Sequence, residues 1–579
     1  MNFGDFFRRA TQIIAPYPYQ RAFAEDESLP ELLSIPTGLG KTAAVVLGWL
    51  YRRRFHKNAE IRNSTPRRLV YCFPMRVLVE QTHDVTQGWL EKLGLTDDVK
   101  VHLLMGGVDG SDWDEYPESD SILIGTQDML LSRALNRGYG MSRYRWPMHF
   151  GLLNNDSLWV MDETQLMGVG LTTTAQLQGL RKKLKTYGNA RSLWMSATLD
   201  ASPIKTVDHP EPQVGYARQT LTENDLKEKE VQKRIGAKKP LEQSKLILSA
   251  ESEKKGYAKD LATAIKAVHE SETGRLTLVV LNRVIRAQEV FTELEKLCGK
   301  TKSAVELALI HARFRPSDRR IQEDRLFKRE LPAAGRIVIA TQAIEAGVDV
   351  SATTLFTELA PWPSLVQRFG RCNRKGEFTD AKVIWIDTQP KDDKDKVLLP
   401  YERASLNQSR EFLNTLNDVG PNSLKAIQQQ FEKSCKSPVV YTLRRRDLLD
   451  LWDTTPDLAG NDLDVSRFIR DADDTDVQFY WRDLDDTLPT TAIPAPKRNE
   501  LCAVAIGRAK DFLTKLKKNK SQFAGIWNPL LKKWLKLDPD DIRPGMVLLL
   551  RTELGGYLDR IGWTGDPADK PTPKPPPAD

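Results

Sequence analysis

A glycine-rich turn near the N-terminus, Pro36-Thr37-Gly38-Leu39-Gly40-Lys41-Thr42, limits what this chain can fold into more than any other segment. Its glycines let the backbone curl until successive N–H groups point at an anion, and the helix that follows adds the positive end of its dipole. The lysine then supplies a charge for phosphate oxygens, and the threonine supplies a hydroxyl for Mg²⁺. The turn predicts a nucleoside triphosphate site made by Thr37, Gly38, Gly40, Lys41 and Thr42.

Such a turn joins a strand to a helix, and the flanking sequence agrees. Residues 32–35 are apolar enough for a buried strand, and residues 43–54 carry the apolar face of a helix. The usual phosphate-loop pattern starts with a small residue where Ile35 stands here. The prediction therefore rests on the shorter Gly-x-Gly-Lys-Thr core.

The composition sets outer limits on fold and partners. At 579 residues, the chain is long enough for three or four domains of about 100 to 200 residues each. A net charge of +7 over this length is only a weak indication of an anionic partner. The five cysteines are far apart and form no Cys-x-x-Cys pair, which argues against a disulfide framework and a zinc knuckle. Without a signal peptide or a bilayer-length apolar stretch, we expect a cytoplasmic protein with no membrane partner.

Short apolar strands alternate with helical stretches twice along the chain, which is the pattern of parallel α/β sheets. Charged sequence without a clear pattern fills residues 206–245 between the two sets, and helical sequence returns at 404–431. We therefore predict an α/β fold of two tandem parallel-sheet lobes, 1–205 and 206–395, followed by a mixed accessory C-terminal region. That region would cover residues 396–565, and a Pro-rich linker or tail that does not pack would cover 566–579.

Two carboxylates, Asp162-Glu163, follow the apolar strand predicted at 158–161. Open α/β sheets bind ligands at the carboxyl edge of their strands. We therefore expect Asp162 to hold Mg²⁺ through its water shell and Glu163 to polarise the water that attacks the γ-phosphate. The hydroxyls of Ser196-Ala197-Thr198, after the next strand, are in position to sense that phosphate, although such a tripeptide is also a common helix N-cap.

Three arginines recur at every third position of the segment 365–374, at Arg368, Arg371 and Arg374. On a helix the three side chains would form a crowded cationic strip, and they could not all be buried. We predict that Arg371 and Arg374 act as arginine fingers, whose planar forks neutralise charge on the transferring phosphoryl group. Gln367 of the same segment completes the predicted catalytic set.

In their order along the chain, these motifs resemble those of superfamily 2 helicases over about residues 15–390. The resemblance implies two RecA-like lobes, ATP and Mg²⁺ as ligands, and an adenine-reading role for Gln20 in Tyr17-Pro18-Tyr19-Gln20. It also implies that Thr341, in Thr341-Gln342-Ala343-Ile344-Glu345-Ala346-Gly347-Val348-Asp349, contacts the strand backbone while Gly347 and Asp349 face the nucleotide.

Other segments are similar to the helicase-nuclease of type I CRISPR-Cas systems, and most similar to its subtype G (formerly U) branch. They are 310–319, 360–368, 142–150, 480–482 and 555–563. That resemblance implies movement on the DNA strand displaced by a guide-RNA surveillance complex, with an HD-type nuclease acting in cis or in trans. The seven histidines are scattered, and His83-Asp84 is the only His-Asp dipeptide, so we expect no HD nuclease in this sequence. The Pro-rich ending is where a linker to such a nuclease would begin.

A translocase grips phosphates and sugars without reading the sequence of the strand. The predicted contacts are Arg76, Thr126, Gln127, Asn282, Arg283, Arg313 and Thr341. The insert Arg143-Tyr144-Arg145-Trp146 interleaves cations with aromatic rings, which suits stacking on unpaired bases, or equally an aromatic plug inside the protein.

Three functions remain open at this point. The first is an ATP-driven single-stranded DNA translocase of CRISPR interference, for which a monomer is sufficient because tandem lobes form a complete site. The second is an RNA-dependent ATPase of the DEAD/DEAH kind, which shares most of these motifs. The third is a recruitment module, in which the last third of the chain docks on the guide-RNA complex and ATP only gates assembly.

Overall fold

The chain forms two units. In a computed structural model, the described residues are 1–106, 112–139, 141–196, 202–271, 274–299, 305–328, 330–345, 347–434, 441–453, 455, 463–470, 476–484, 489–517, 524–528, 531–543 and 545–573. The first unit comprises Met1–Gly236 with Lys425–Asp473, and the second comprises Ala237–Leu424 with Asp474–Asp579.

A seven-stranded parallel sheet forms the centre of the first unit. Its strands are β1 Leu32–Ser34, β2 Arg68–Phe73, β3 Val99–Leu104, β4 Asp120–Thr126, β5 Ser157–Asp162, β6 Ala190–Ser196 and β7 Arg218–Gln219, in the order β3-β4-β2-β5-β6-β1-β7. Every residue of β2, β4 and β5 is buried, as expected for central strands covered by helices on both faces.

Helices cover both faces of this sheet with apolar cores. They are α1 Phe3–Thr11, α2 Pro18–Glu25, α3 Lys41–Arg54, α4 Ala59–Ser64, α5 Arg76–Leu93, α6 Gln127–Ala134, α7 Trp146–Asn154, α8 Val169–Leu184, α9 Glu223–Lys227 and α10 Lys229–Ile235. One core packs α1, α2, α3 and α5 against the sheet, and the other packs α6, α7 and α8 against its opposite face. The loops that follow β1 and β5 therefore emerge at one edge of a rigid sheet.

The second unit is built around a six-stranded parallel sheet. Its strands are β8 Leu241–Leu248, β9 Leu276–Val280, β10 Glu306–Ile310, β11 Arg336–Ala340, β12 Thr354–Glu358 and β13 Lys382–Thr388, in the order β10-β11-β9-β12-β13-β8. The next helices along the chain are α11 Ala250–Lys255, α12 Tyr257–Glu270, α13 Val284–Gly299, α14 Pro316–Phe327, α15 Trp362–Phe369, α16 Arg403–Asn414 and α17 Pro421–Ser434.

A five-stranded mixed sheet follows in the same unit. It contains β14 Asp476–Arg482, β15 Cys502–Ala505, β16 Ala524–Asn528, β17 Lys533–Leu537 and β18 Val547–Arg551, in the order β15-β14-β18-β16-β17. The helix α19 Ile506–Lys517 packs against this sheet, and the strands β19 Tyr557–Leu558 and β20 Gly562–Trp563 form a terminal hairpin. The ring of Trp563 stacks on Phe479 at 5.0 Å, and His311 Nε2 lies 2.8 Å from the carbonyl oxygen of Ile561. The accessory sheet and the parallel sheet of this unit therefore share one apolar core.

One part of the last third of the chain packs on the first unit instead. The helix α18 Arg445–Trp452 and residues 463–470 lie against α6 and α8. Gln176 exchanges two hydrogen bonds with the backbone of Leu443, at 2.8 and 3.2 Å, and Gln127 Nε2 donates to the carbonyl of Ile469 at 3.0 Å. Short 3₁₀ turns complete the secondary structure at Arg143–Arg145, Thr164–Leu166, Ser202–Ile204, Gln342–Ile344, Lys396–Leu398, Ser466–Phe468, Arg498–Glu500, Pro539–Asp541 and Thr552–Leu554.

The predicted fold class is confirmed, with two parallel-sheet lobes and a mixed accessory region. The details differ in three places. Residues 206–245, predicted to be irregular, contain β7, α9, α10 and part of β8, and residues up to 236 belong to the first unit. The predicted accessory region 396–565 is divided between the two units. The Pro-rich tail was predicted not to pack, yet Pro571 is buried and the carbonyl of Thr572 accepts a hydrogen bond from Arg315 at 3.0 Å.

Candidate functional site

The predicted phosphate loop lies between β1 and α3, at the carboxyl edge of the first sheet. Gly38 and Gly40 have φ values of 82° and 79°, a left-handed conformation that glycine adopts without steric cost. Gln20 Nε2 donates to the carbonyl of Gly40 at 3.0 Å, and a Cβ atom on Gly40 would lie 2.7 Å from that nitrogen. The hydroxyl of Tyr19 donates to the carbonyl of Leu39 at 2.6 Å. Gln20 therefore holds the loop in shape, in addition to the adenine contact predicted for it.

Lys41 is the first residue of α3 and is only 7% exposed. Its Nζ atom is buried and has no hydrogen-bond partner within the described part of the chain. A buried ammonium group without a partner is costly, because desolvation disfavours its charge. Phosphate oxygens bound at the loop would supply the missing acceptors, so these residues fit a nucleotide phosphate. Thr42 follows Lys41 on the same helix, and its side chain forms a hydrogen bond with Tyr71.

Asp162 ends β5 and is 5% exposed. Its carboxylate accepts hydrogen bonds from the hydroxyl of Tyr71 at 3.0 Å and from the backbone N–H of Glu163 at 2.8 Å. Burial raises the pKa of Asp162 to about 7. The negative charge of Glu163 raises this pKa further, whereas the positive charge of Lys41 lowers it. A carboxylate so poised gains from a nearby cation, which is consistent with a role as a metal ligand.

Glu163 is linked to the next strand through one amide side chain. Gln165 Nε2 donates to Glu163 Oε2 at 2.6 Å, and Gln165 Oε1 accepts from the hydroxyl of Ser196 at 2.6 Å. Glu163 itself has a left-handed φ of 52°, which turns its side chain away from the strand direction of β5. Ser196 thus donates a hydrogen bond to Gln165, which in turn holds Glu163, while Ala197 and Thr198 lie outside the described residues.

The structure adds one residue that the sequence analysis missed. Arg234, near the end of α10, donates through Nη1 to the carbonyl oxygen of Gly38 in the phosphate loop. The charge of the same guanidinium acts on Tyr17. Burial raises the pKa of the Tyr17 hydroxyl, and the positive charge of Arg234 offsets part of that rise. No motif marks this position, because it lies in the charged stretch that carried no clear pattern.

The arginine segment of the second unit corrects one prediction. Helix α15 ends at Phe369, so the three arginines do not form a strip on one helix. Arg368 is fully buried, and its guanidinium contacts Glu345 at 2.8 Å and Asn282 at 3.0 Å. Arg371 is also buried, and it donates to the carbonyls of residues 344 and 345 at 3.0 and 2.5 Å. Two of the three arginines are therefore buried.

The other residues predicted for the second unit come from the end of the arginine segment and from the 341–349 motif. Arg374 forms an ion pair with Asp349 at 2.9 Å, and the Asp349 side chain is 69% exposed. Gly347 has a φ of 76°, a conformation that favours glycine. Gln367 is buried on α15, and Thr341 is buried directly after β11. Arg374 and Asp349 thus form one ion pair at the surface of the second unit.

The predicted nucleic-acid contacts of the first unit differ in exposure. Arg76 is exposed at the start of α5. Thr126, at the end of β4, is 3% exposed, and Gln127 is 4% exposed beneath the backbone of Ile469. Arg76 is therefore accessible at the surface, whereas Gln127 is covered by the backbone of Ile469.

The predicted contacts of the second unit are engaged in internal interactions. Asn282 donates through Nδ2 to the carbonyl of Leu359 at 2.8 Å. Arg283 is half-buried and lies 3.6 Å from a carboxylate oxygen of Glu253. Arg313 donates to Asp476 at 2.5 Å and to a backbone carbonyl of the accessory sheet at 3.0 Å. Arg313 thus connects the parallel sheet to the accessory sheet.

The insert with alternating cations and aromatic rings packs on the first unit. The guanidinium groups of Arg137 and Arg143 lie 5.2 and 5.6 Å from the centre of the Trp146 ring, and Arg145 forms an ion pair with the buried Asp114. Tyr144, in contrast, is 94% exposed. Trp146 therefore fits the aromatic plug, and Tyr144 remains free to stack.

Two absences bear on the chemistry. Within the described ranges, no three His, Cys, Asp or Glu side chains come close enough together to hold a metal ion. His83 and Asp84 lie on the surface of α5, with 3.1 Å between His83 Nδ1 and Asp84 Oδ1. In the same part of the chain, none of the helices combines the length and apolar character needed to cross a bilayer.

Family models match both lobes. The model described as DEAD/DEAH box helicase matches residues 20–207, and the model described as CRISPR-associated nuclease/helicase Cas3, C-terminal, matches residues 273–377. These ranges contain the phosphate loop, the Asp-Glu motif and the arginine segment.

Similar proteins point to the same family. The CRISPR-associated helicase Cas3 of Thermoproteus tenax is 26% identical over 207 residues, which cover 35% of this chain and 34% of that protein. The CRISPR-associated endonuclease/helicase Cas3 of Escherichia coli K12 is 33% identical over 119 residues, 20% of this chain and 13% of that protein. The matched regions thus span about a third or less of these curated relatives.

Solved structures share the fold. The crystal structure of T. fusca Cas3-ATP superposes with a TM-score of 0.58 and 14% identity, covering 94% of this chain and 68% of that one. The DUF1998 helicase MrfA bound to DNA gives a TM-score of 0.57 at 15% identity, covering 94% and 68%. The motifs in their order, the two family models and these relatives together show that the chain is similar to the Cas3 helicases of superfamily 2.

Proposed function

We propose that this chain is a nucleic-acid-stimulated ATPase that moves along single-stranded DNA in CRISPR interference. The observation that carries the proposal is the buried Lys41 ammonium in a glycine loop beside Asp162, since its Nζ atom has no hydrogen-bond partner among the described residues. Such a group is stable only when an anion completes its hydrogen bonds, and a nucleotide phosphate is the anion that this loop fits.

Each residue of the first unit then has a chemical task. The loop amides and Lys41 hold the phosphates, and Gln20 and Arg234 keep the loop in position. Thr42 and Asp162 would hold Mg²⁺, which would neutralise charge on the phosphate oxygens when bound. Glu163 orients the attacking water and accepts its proton, while Gln165 fixes the direction of the Glu163 carboxylate.

The second unit would add the groups that make ATP hydrolysis depend on the bound DNA strand. We propose that Arg371 and Arg374 stabilise the charge of the transferring phosphoryl group and that Gln367, Gly347 and Asp349 line the nucleotide. Arg374 is held by Asp349, so nucleotide binding would exchange this ion pair for contacts to phosphate. Such an exchange would link hydrolysis to motion of the unit.

The DNA strand would contact a mixture of hydroxyls, backbone amides and cations, with Arg76 and Thr341 among them. In the proposed setting the strand is the one displaced by a guide-RNA surveillance complex of a type I system, of the subtype G (formerly U) branch. The HD nuclease that cuts this strand would be supplied in cis or in trans. We further propose a cytoplasmic monomer, with each chain providing one complete ATP site.

Steady-state ATP hydrolysis with Mg²⁺ tests this proposal, using protein alone, with single-stranded DNA and with single-stranded RNA of the same sequence. We expect stimulation by DNA, and its loss in Lys41→Ala with the fold retained. Stimulation by RNA alone would favour the RNA-dependent ATPase, and no stimulation would favour the recruitment module. Intact hydrolysis in Lys41→Ala would contradict the assignment of the site.

A further inference from the structure

A cavity lies in the first unit, at the end of the sheet opposite the phosphate loop. It has a volume of about 200 Å³, is open to solvent on one side, and is lined by residues of α6, α7, α8 and α18. Its lining is mainly apolar and includes Leu177, Leu180, Leu184, Leu448, Leu451 and Trp452. Asn154, which precedes β5, and the amino-terminal half of β6 lie beside it, so the nucleotide chemistry does not use this cavity.

A buried cation lies at this cavity without a counter-ion among the described residues. Arg181 lines it and is 6% exposed, and burial lowers the pKa of its guanidinium to about 9, so the group keeps its charge at neutral pH. It donates to Asn154 Oδ1 at 2.9 Å and to Ser192 Oγ at 3.4 Å, and it lies 5.0 Å from the centre of the Trp159 ring. Its Nη2 atom has no hydrogen-bond partner, and no ion pair among the described residues includes it.

A charge in this position is costly for the protein alone. Desolvation opposes a buried cation, and a neutral amide, a hydroxyl and an aromatic face offset that cost only in part. Because the surrounding dielectric is low, the potential of Arg181 in the cavity is strong. An anionic group entering the cavity would gain from that potential.

The rim of the cavity carries two further features. Leu184 and Trp452 are 55% and 40% exposed, which leaves apolar surface open beside the apolar lining. Lys185, directly after the end of α8, lines the cavity and is exposed, and its neighbour Lys183 is exposed on the same helix. An apolar cavity with a cationic rim complements a segment that combines a large apolar side chain with carboxylates.

We propose that this cavity docks an acidic segment of a partner protein, with one large apolar side chain as its anchor. The anchor would fill the space between α8 and α18, and carboxylates beside it would face Arg181 and Lys185. The docking does not depend on the ATPase proposed above, because the two sites share no residue. Its test therefore measures binding alone.

Fluorescence anisotropy of a short labelled peptide, with one leucine between glutamates, measures this binding to the full chain. The control peptide has lysines in place of the glutamates. We expect the glutamate peptide to bind, the lysine peptide not to bind, and Leu184→Glu to weaken binding at least about tenfold. Leu531→Glu is the matched control, because Leu531 is 58% exposed in the second unit and is expected to leave binding unchanged.

Arg181→Met separates the charge from the packing. Methionine fills a similar space without a buried charge, so we expect thermal stability to be retained or improved while the affinity for the glutamate peptide falls about tenfold. Equal affinity for the two peptides, or binding that survives Leu184→Glu, would overturn the proposal. Self-association of the chain that Leu184→Glu abolishes would also overturn it, because the occupant would then be a second copy.

Discussion

Gln165 offers the sharpest test of how the Asp-Glu motif is organised. Its amide joins the Glu163 carboxylate to the hydroxyl of Ser196 through two hydrogen bonds of 2.6 Å. In Gln165→Leu both bonds are lost while the size of the side chain is nearly kept. A hydrogen bond to a charged group contributes about 1.5 to 3 kcal/mol. If that energy orients Glu163 in the transition state, kcat for ATP hydrolysis should fall roughly 10- to 150-fold.

The assay is steady-state hydrolysis in the presence of single-stranded DNA, with KM for ATP measured in the same series. We expect KM to change little, because Gln165 contacts neither the phosphate loop nor Lys41 in this structure. Ser196→Ala removes one of the two bonds and should give a smaller loss of kcat. An unchanged kcat in Gln165→Leu, or a loss expressed only in KM, would refute the orienting role.

Three other predictions concern the same unit. Arg234→Ala should raise KM for ATP, since the guanidinium supports a carbonyl of the phosphate loop, whereas Lys233→Ala, an exposed neighbour, should leave KM unchanged. In the protein without Mg²⁺ or nucleotide, burial raises the pKa of Asp162 above its unfolded value of 3.8 to about 7, so ionising it costs stability as the pH rises from about 4 to 7. Asp162→Asn should therefore stabilise the protein more at pH 8 than at pH 4 in thermal unfolding, and equal effects at both pH values would contradict this. Gly179→Ala would place a Cβ atom 2.0 Å from a backbone oxygen, so it should lower the free energy of unfolding by about 1 to 3 kcal/mol. Gly88→Ala has open space around the new Cβ atom, so it should raise the free energy of unfolding by about 0.5 to 1 kcal/mol.

Sequence patterns predicted the two parallel sheets because buried parallel strands are nearly continuous apolar runs. The strand of β5 and the glycine turn before α3 were visible for this reason, and so was their meeting at one sheet edge. The weak edge strands were missed. β8 alternates exposed and partly buried residues at the margin of its sheet, and β7 has only two residues, so neither carries an apolar run.

Contacts between distant segments could not be inferred from local patterns. Arg234 reaches Gly38 across 196 residues, and Gln127 is covered by Ile469 across 342 residues. The arginine segment was misjudged for a related reason. Its three-residue spacing suggests a helical strip only if the helix continues, and α15 ends at Phe369 before the last two arginines. Arg368 can be buried because Glu345 and Asn282 supply its hydrogen bonds.

ATP-driven movement on DNA is the central claim, and release of streptavidin from one end of a biotinylated single-stranded DNA measures it directly. Glu163→Gln is the control, because it should keep nucleotide binding while preventing hydrolysis. We predict that the unaltered chain displaces streptavidin only with ATP and Mg²⁺, from one end of the strand, and that Glu163→Gln does not. Displacement without ATP, or by Glu163→Gln at the same rate, would contradict the account, and so would DNA-stimulated hydrolysis without any displacement.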